Sequence, residues 1–192
     1  MKKEKNIPRD PVWYPFTQMQ EFMVHSPLPI ASAQGCWLED VNGRRYLDGV
    51  SSLWANVHGH QHPVINRAIE EQMGRVAHST MLGLSHPGGI ELARQLVELA
   101  PETLSRIFYS DSGATAVEIA LKMAYQYWQL KGETQRYKFL KLSEAYHGDT
   151  IGAVSLGGMD LFHERFDRLL FDSIKVPTPN LYRHPFPGAT AA

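Results

Sequence analysis

Ser112-Gly113-Ala114-Thr115 is the stretch of this chain best suited to hold an anion. It stands between a short β-type run, Arg106 to Tyr109, and a long amphipathic segment that opens directly after the turn. A strand–turn–helix unit leaves the first N–H groups of its helix unpaired, and the helix dipole adds partial positive charge there. Gly113 lets the backbone come close to a phosphate, Ser112 and Thr115 offer hydroxyls, and Ala114 keeps the approach clear. The pattern is neither the G-x-x-x-x-G-K-[ST] of triphosphate sites nor the G-x-G-x-x-G of dinucleotide sites. No Lys or Arg stands in the turn to neutralise a triphosphate. A single phosphate monoester fits, and pyridoxal 5′-phosphate (PLP) is the commonest cofactor held that way. Asp111 or Ser112 acting only as a helix cap accounts for the same residues without a ligand.

A second group lies downstream. Tyr137 to Leu142 reads as a short buried strand that ends in Glu144-Ala145-Tyr146-His147-Gly148-Asp149-Thr150. Both groups then sit at carboxyl ends of strands joined by a helix, the edge where open α/β sheets bind ligands. Tyr146 could stack on a flat heterocycle while the turn holds its phosphate, and Gly148 would permit a sharp bend. An ordinary strand-end aromatic is the plainer account of Tyr146. His58, His60 and His62 alternate, a spacing that on a strand places three imidazoles on one side, as in a metal site. Gly59 and Pro63 point instead to an irregular turn, and no carboxylate or thiolate cluster accompanies them, so no metal is expected.

The elements that must carry these groups follow from local signals. Residues 1–12 read as a polar arm, and Pro27 to Ala33 as extended. Cys36–Asp40 and Arg45–Asp48 flank Val41-Asn42-Gly43-Arg44, a hairpin signal. Pro63 opens an apolar stripe through Val64, Ile65, Ala68, Ile69, Met73 and Val76. A second stripe, Ile90, Ala93, Leu96, Val97 and Ala100, stops at Pro101. After the phosphate-bearing βαβ unit come a short helix near Leu161 to Leu169 and a strand over Ser173 to Val176. The division expected is a small amino-terminal segment, 1–60, and the first part of a larger α/β domain, 61–192. Pro177, Pro179, Pro185 and Pro187 give the closing stretch loop composition. A parallel sheet ending there leaves an open edge, so a fragment, or dependence on a partner, is expected.

With 43% hydrophobic and 20% charged residues the chain has ordinary globular composition. A net charge of −1 gives no electrostatic case for nucleic acid or acidic membranes. Cys36 is the only cysteine, which suits a reducing, cytoplasmic setting and leaves no intrachain disulfide. Met1-Lys2-Lys3-Glu4-Lys5 is followed by no apolar core, so it is not read as a signal peptide.

Taken together the motifs resemble the amino-terminal part of a class III, fold type I, PLP-dependent aminotransferase. The resemblance rests on Trp13 to Met19, Asp48 to Trp54, His58-Gly59-His60, Ala77 to Thr80, Tyr109 to Glu118 and Tyr146 to Thr150. The phosphate turn and Tyr-His-Gly-Asp-Thr point to the superfamily. Trp-x-Pro-Phe-Thr-Gln-Met and Ser-Ser-Leu-Trp point to its biotin-pathway branch, which aminates 7-keto-8-aminononanoate to 7,8-diaminononanoate. The resemblance implies an α/β fold and PLP held by Ser112, Gly113, Ala114 and Tyr146. It implies substrate contacts from Trp54, Tyr146 and Phe16, and a homodimeric parent. His147 is read as orienting polar groups rather than as a base.

Phe16 replaces a tyrosine common in members that use S-adenosylmethionine, and relatives with phenylalanine include users of lysine, so both amino donors stay open. Phe16 as an anchor of the arm and Trp54 as a core aromatic remain the plainer accounts of those rings. The family's Schiff-base lysine has no counterpart among Lys2, Lys3, Lys5, Lys122, Lys131, Lys138, Lys141 and Lys175. These residues alone are therefore expected not to transaminate, whereas the parent would. A class III enzyme acting on ω-amino acids or polyamines, and a non-catalytic fragment pairing with full-length subunits, are the other readings.

Overall fold

The computed structural model describes residues 11–22, 27–159, 164–180 and 182. Most of the expected polar arm, the start of the helix expected at Leu161, and Pro185 and Pro187 lie outside the described residues. The chain divides into two units, Met1–Pro87 and Gly88–Ala192.

The first unit starts with one helical turn, α1 (Met19–Phe22), followed by an antiparallel meander. Its strands are β1 (Ile30–Gln34), β2 (Trp37–Asp40) and β3 (Arg45–Leu47). Trp37 pairs with Leu47 and Leu38 with Tyr46 across the hairpin expected at residues 41–44. Asp40 explains why that hairpin closes. Its carboxylate accepts from the amides of Asn42 at 2.8 Å and Arg44 at 2.9 Å, and from the Tyr46 hydroxyl at 3.0 Å. Burial pushes the Asp40 carboxyl up, but the Arg44 and Asn42 amides and the Tyr46 hydroxyl outweigh it and hold the group below its ordinary range. Gly43 supplies the turn's φ of +80°.

Next comes α2 (Ser51–Trp54), a turn of the left hand. Ser51, Ser52, Leu53 and Trp54 have φ of 52°, 48°, 62° and 70°, a region non-glycine residues occupy at about 1–2 kcal/mol each. Asp48 holds the turn: its carboxylate accepts from the Ser52 amide and hydroxyl, both at 2.8 Å, and meets His60 Nε2 at 2.8 Å. Helix α3 (Pro63–Met73) starts with Pro63 in its first turn, where the missing N–H costs nothing, and its N-cap is His62.

In the second unit, α4 (Pro87–Leu99) precedes residues 106–109, which form no strand. This corrects the β-type run expected at Arg106 to Tyr109. Its residue types favour extension, but a strand exists only where a neighbour answers its N–H and C=O groups. The segment is tied instead by the Tyr109 hydroxyl, which donates to the Gly89 carbonyl at 2.6 Å. Helix α5 (Gly113–Leu130) leads to β4 (Leu140–Leu142), α6 (Ile151–Leu156), a 3₁₀ segment (Glu164–Leu169) and β5 (Ile174–Val176). Strands β4 and β5 pair in parallel, Leu140 with Ile174 and Leu142 with Val176.

Helix α6 packs through Ser155, which is fully buried. Its hydroxyl donates to the Ile151 carbonyl at 2.7 Å and accepts from the Phe171 amide at 3.2 Å. Its carbonyl accepts from Ser173 Oγ at 2.8 Å and Lys141 Nζ at 3.2 Å.

Ala153 and Val154 are the buried hydrophobic residues among those described, while Ile69, Met73, Leu82 and Leu99 are more than half exposed. The accessible surface is 16637 Å². Along α3, α4 and α5, Val64, Ile69, Met73, Ile90, Leu99 and Leu130 are all more than half exposed, so these apolar faces meet solvent. No helix among the described residues is long and apolar enough to cross a membrane.

Candidate functional site

Ser112 is the N-cap of α5, in extended conformation at φ −156°, ψ 166°. Its Oγ accepts from the Thr115 amide at 3.2 Å, and its own amide donates to Thr115 Oγ1 at 3.1 Å, a reciprocal capping box. Thr115 Oγ1 donates to Asp111 Oδ1 at 2.7 Å, and that bond holds the Asp111 carboxyl below its ordinary range. The cap thus consumes the third amide of the helix. The Gly113 and Ala114 amides, in its first turn, have no intrahelical acceptor. A Cβ placed on Gly113 would meet nothing within 4 Å, so the ground above the turn is open.

The Tyr146 segment comes directly onto this turn. Gly148 is buried at φ +112°, and a Cβ there would stand 2.8 Å from Ala114 Cα, closer than real side chains allow. Glycine at 148 is what lets the two backbones approach. Tyr146 is about half exposed, and its hydroxyl donates to Asp149 Oδ2 at 2.6 Å. The Asp149 carboxylate raises the phenol's pKa, with burial adding to the effect.

Behind the turn, Glu118 Oε1 accepts from the amides of Gly152 at 2.7 Å and Ala153 at 3.2 Å. The neighbouring Thr150 hydroxyl, short of good hydrogen-bond geometry, contributes most to holding this carboxyl below its ordinary range; burial opposes it and the two amides assist.

Ser112, Gly113, Ala114 and the segment bearing Tyr146 are therefore neighbours. Phe16 and Trp54 belong to the first unit and are 82% and 73% exposed. Two cavities, one beside Trp37 and Arg45 and one beside Trp128 and Phe139, include none of these side chains. Among the described residues no three His, Cys, Asp or Glu side chains gather as metal ligands. His60 is engaged with Asp48, and His58 and His62 stack edge to face with ring centres 5.9 Å apart.

Sequence reasoning missed Asp149 as the partner of Tyr146, and Glu118. Asp149 stood inside a quoted motif, three residues from the ring. Glu118 carries no local signal, because its partners lie 34 and 35 residues away.

A class III aminotransferase family model matches residues 19–190. The chain belongs to the class III aminotransferases. It is 56% identical over 176 residues to the adenosylmethionine-8-amino-7-oxononanoate aminotransferase of Nitratidesulfovibrio vulgaris, covering 91% of this chain and 32% of that protein. It is 53% identical to the enzyme of the same name from Aquifex aeolicus, with 88% and 38% covered.

The crystal structure of the Methanocaldococcus jannaschii enzyme of that name matches with TM-score 0.83 at 46% identity, over 88% of this chain and 38% of the other. An amine transaminase of an uncultivated Pseudomonas species, solved in its PLP-bound form, matches with TM-score 0.83 at 37% identity, over 94% and 41%. The aminotransferase chain thus spans about a third to two fifths of the length of these relatives, as the amino-terminal portion of the fold type I architecture. The cofactor of the family is PLP.

Proposed function

We propose that these 192 residues are the phosphate-gripping and ring-flanking portion of an adenosylmethionine-8-amino-7-oxononanoate aminotransferase of biotin biosynthesis. The observation that carries the reading is the seating of Gly148 on Ala114, which brings the Tyr146 segment to an open helix start. The residues present fit PLP: free first-turn amides, unoccupied space above Gly113, and an aromatic ring nearby. Gly113 and Ala114 donate N–H groups to the phosphate, and Ser112, whose Oγ is bonded to the Thr115 amide and lies 3.1 Å from Thr115 Oγ1, borders it and fixes the turn. Tyr146 flanks the ring, its hydroxyl oriented by Asp149. When bound, the cofactor supplies the electron sink that amino transfer requires.

Trp54 and Phe16 are assigned to the substrates, the indole to the methylene chain of 7-keto-8-aminononanoate and the phenyl ring to the amino donor, S-adenosylmethionine or lysine. The division into residues 1–60 and 61–192 belongs to the same reading. So does a cytoplasmic homodimer as the parent's working form. None of the chain's eight lysines matches the family's Schiff-base position. The proposal gives the holding of cofactor to this stretch and the transfer of the amine to the intact enzyme.

An ω-amine transaminase is the second reading, favoured by fold likeness to such an enzyme from Thermomicrobium roseum at TM-score 0.81 and 38% identity. Identities of 40–56% to eight enzymes bearing the first name weigh against it. Turnover of the full-length protein on 7-keto-8-aminononanoate, against simple ω-amines, separates the two. Faster turnover on ω-amines than on the keto acid sinks the proposed substrate.

A further inference from the structure

We infer that Glu118 is a positioning residue for the cofactor ring: it fixes the Tyr146–Asp149 segment against the start of α5 by clamping the backbone that follows. The inference rests on the reading of Ser112–Ala114 as a phosphate grip and extends it to a residue that touches no ligand.

Three observations converge on the clamp. Glu118 Oε1 takes the amides of both Gly152 and Ala153, at 2.7 and 3.2 Å. Gly152 is pressed so close that any side chain there would run into the Glu118 carboxylate. Four residues upstream of Gly152, Gly148 sits against Ala114, where a Cβ would also collide. The segment 146–149 is therefore held at its far end by a carboxylate on α5 and in its middle by the first turn of the same helix. Two backbone donors converging on one ionised oxygen make charge-assisted bonds, stronger than neutral ones and directional. No other side chain described here bonds α5 to the segment that follows Tyr146.

Glu118 lies five residues beyond Gly113, about 7.5 Å along the helix axis. It reaches the phosphate site only through the loop it holds. Removing it should leave the anion grip intact while loosening the ring's neighbour, and that separation makes the role testable.

The experiment uses the full-length apoprotein and two probes, inorganic phosphate and pyridoxamine 5′-phosphate. The second needs no lysine for its attachment. Glu118→Ala is expected to weaken pyridoxamine phosphate about tenfold, to leave inorganic phosphate within about twofold, and to flatten the bound probe's near-ultraviolet circular dichroism. Glu118→Gln, which keeps an accepting oxygen, is expected within about threefold of the parent for both probes. Glu118→Asp, one methylene shorter, draws the carboxylate back from the Gly152 and Ala153 amides; it should show the same selective loss, and it carries the test if Glu118→Ala does not fold.

The role is overturned if Glu118→Ala binds pyridoxamine phosphate with unchanged affinity and dichroism, or loses both probes equally. It is overturned too if Glu118→Asp shows no selective loss. If the parent protein binds neither probe, the phosphate reading falls and this inference with it; if it binds phosphate alone, the ring assignment falls while the grip stands.

Discussion

Single residues set the electrostatics of the proposed site, and two of them give direct tests. The Tyr146 phenol is held protonated to higher pH than an ordinary tyrosine because its hydroxyl faces the Asp149 carboxylate. A raised native pKa contributes stability that is complete below the ordinary value and lost as pH rises through the native one. Asp149→Asn should therefore bring Tyr146 ionisation back toward 10.0, read as an ultraviolet difference titration against a Tyr146→Phe control. Ser112→Ala removes the cap oxygen from the Thr115 amide. The loss should amount to about 1 kcal/mol, or roughly a fivefold faster exchange of that amide. Unchanged exchange would mean that the box contributes nothing to the helix start.

These residues differ in how far the sequence alone exposed them. The helix cap at Ser112 and the helix start at Gly113 and Ala114 were legible because they are built from neighbours in sequence. Tyr146 was legible as a type, its partner Asp149 less so, and Glu118 not at all. A carboxylate on the flank of an amphipathic helix looks like any solvated charge until a distant backbone arrives to meet it.

At the scale of elements the same division holds. Asn42-Gly43 announced its hairpin, and Pro63 its helix, through local chemistry. Helix α6 went unread because Gly152, Ala153, Val154 and Ser155 are all buried and leave no polar face to give a period. Arg106 to Tyr109 was read as a strand because residue types report a preference for extension, not the presence of a neighbour. The left-handed turn α2 was invisible too, since Ser-Ser-Leu-Trp contains no glycine to mark positive φ.

That turn makes an unusual prediction. Leu53 is 70% exposed, so Leu53→Gly gives up little packing and relieves an unfavourable φ. It should be stabilising by up to about 1 kcal/mol in a denaturant titration, where glycine elsewhere in a helix destabilises. Asp48, which holds the turn, lies below its ordinary 3.8 because of the Ser52 amide first and His60 second. Its contribution is present above that value and fades as pH falls through the lowered native one. Asp48→Asn should abolish an acid-induced change in tryptophan fluorescence that the parent shows below about pH 4.

For the molecule as a whole, the decisive quantity is surface. Large apolar side chains along α3, α4 and α5 stand in solvent, and the denaturant dependence of unfolding scales with the area exposed. The 192 residues by themselves should show a urea m-value below that of a compact protein of equal length. A full-sized m-value would mean that the apolar faces of α3, α4 and α5 close on something in solution.

The amides assigned to the phosphate and the carboxylate that tethers the aromatic loop stand on one rod, α5. When that rod tilts or slides, both anchor points travel together, so the spacing between them is preserved as on a ruler. Breathing of the surrounding scaffold should shift such a cofactor bodily without twisting it.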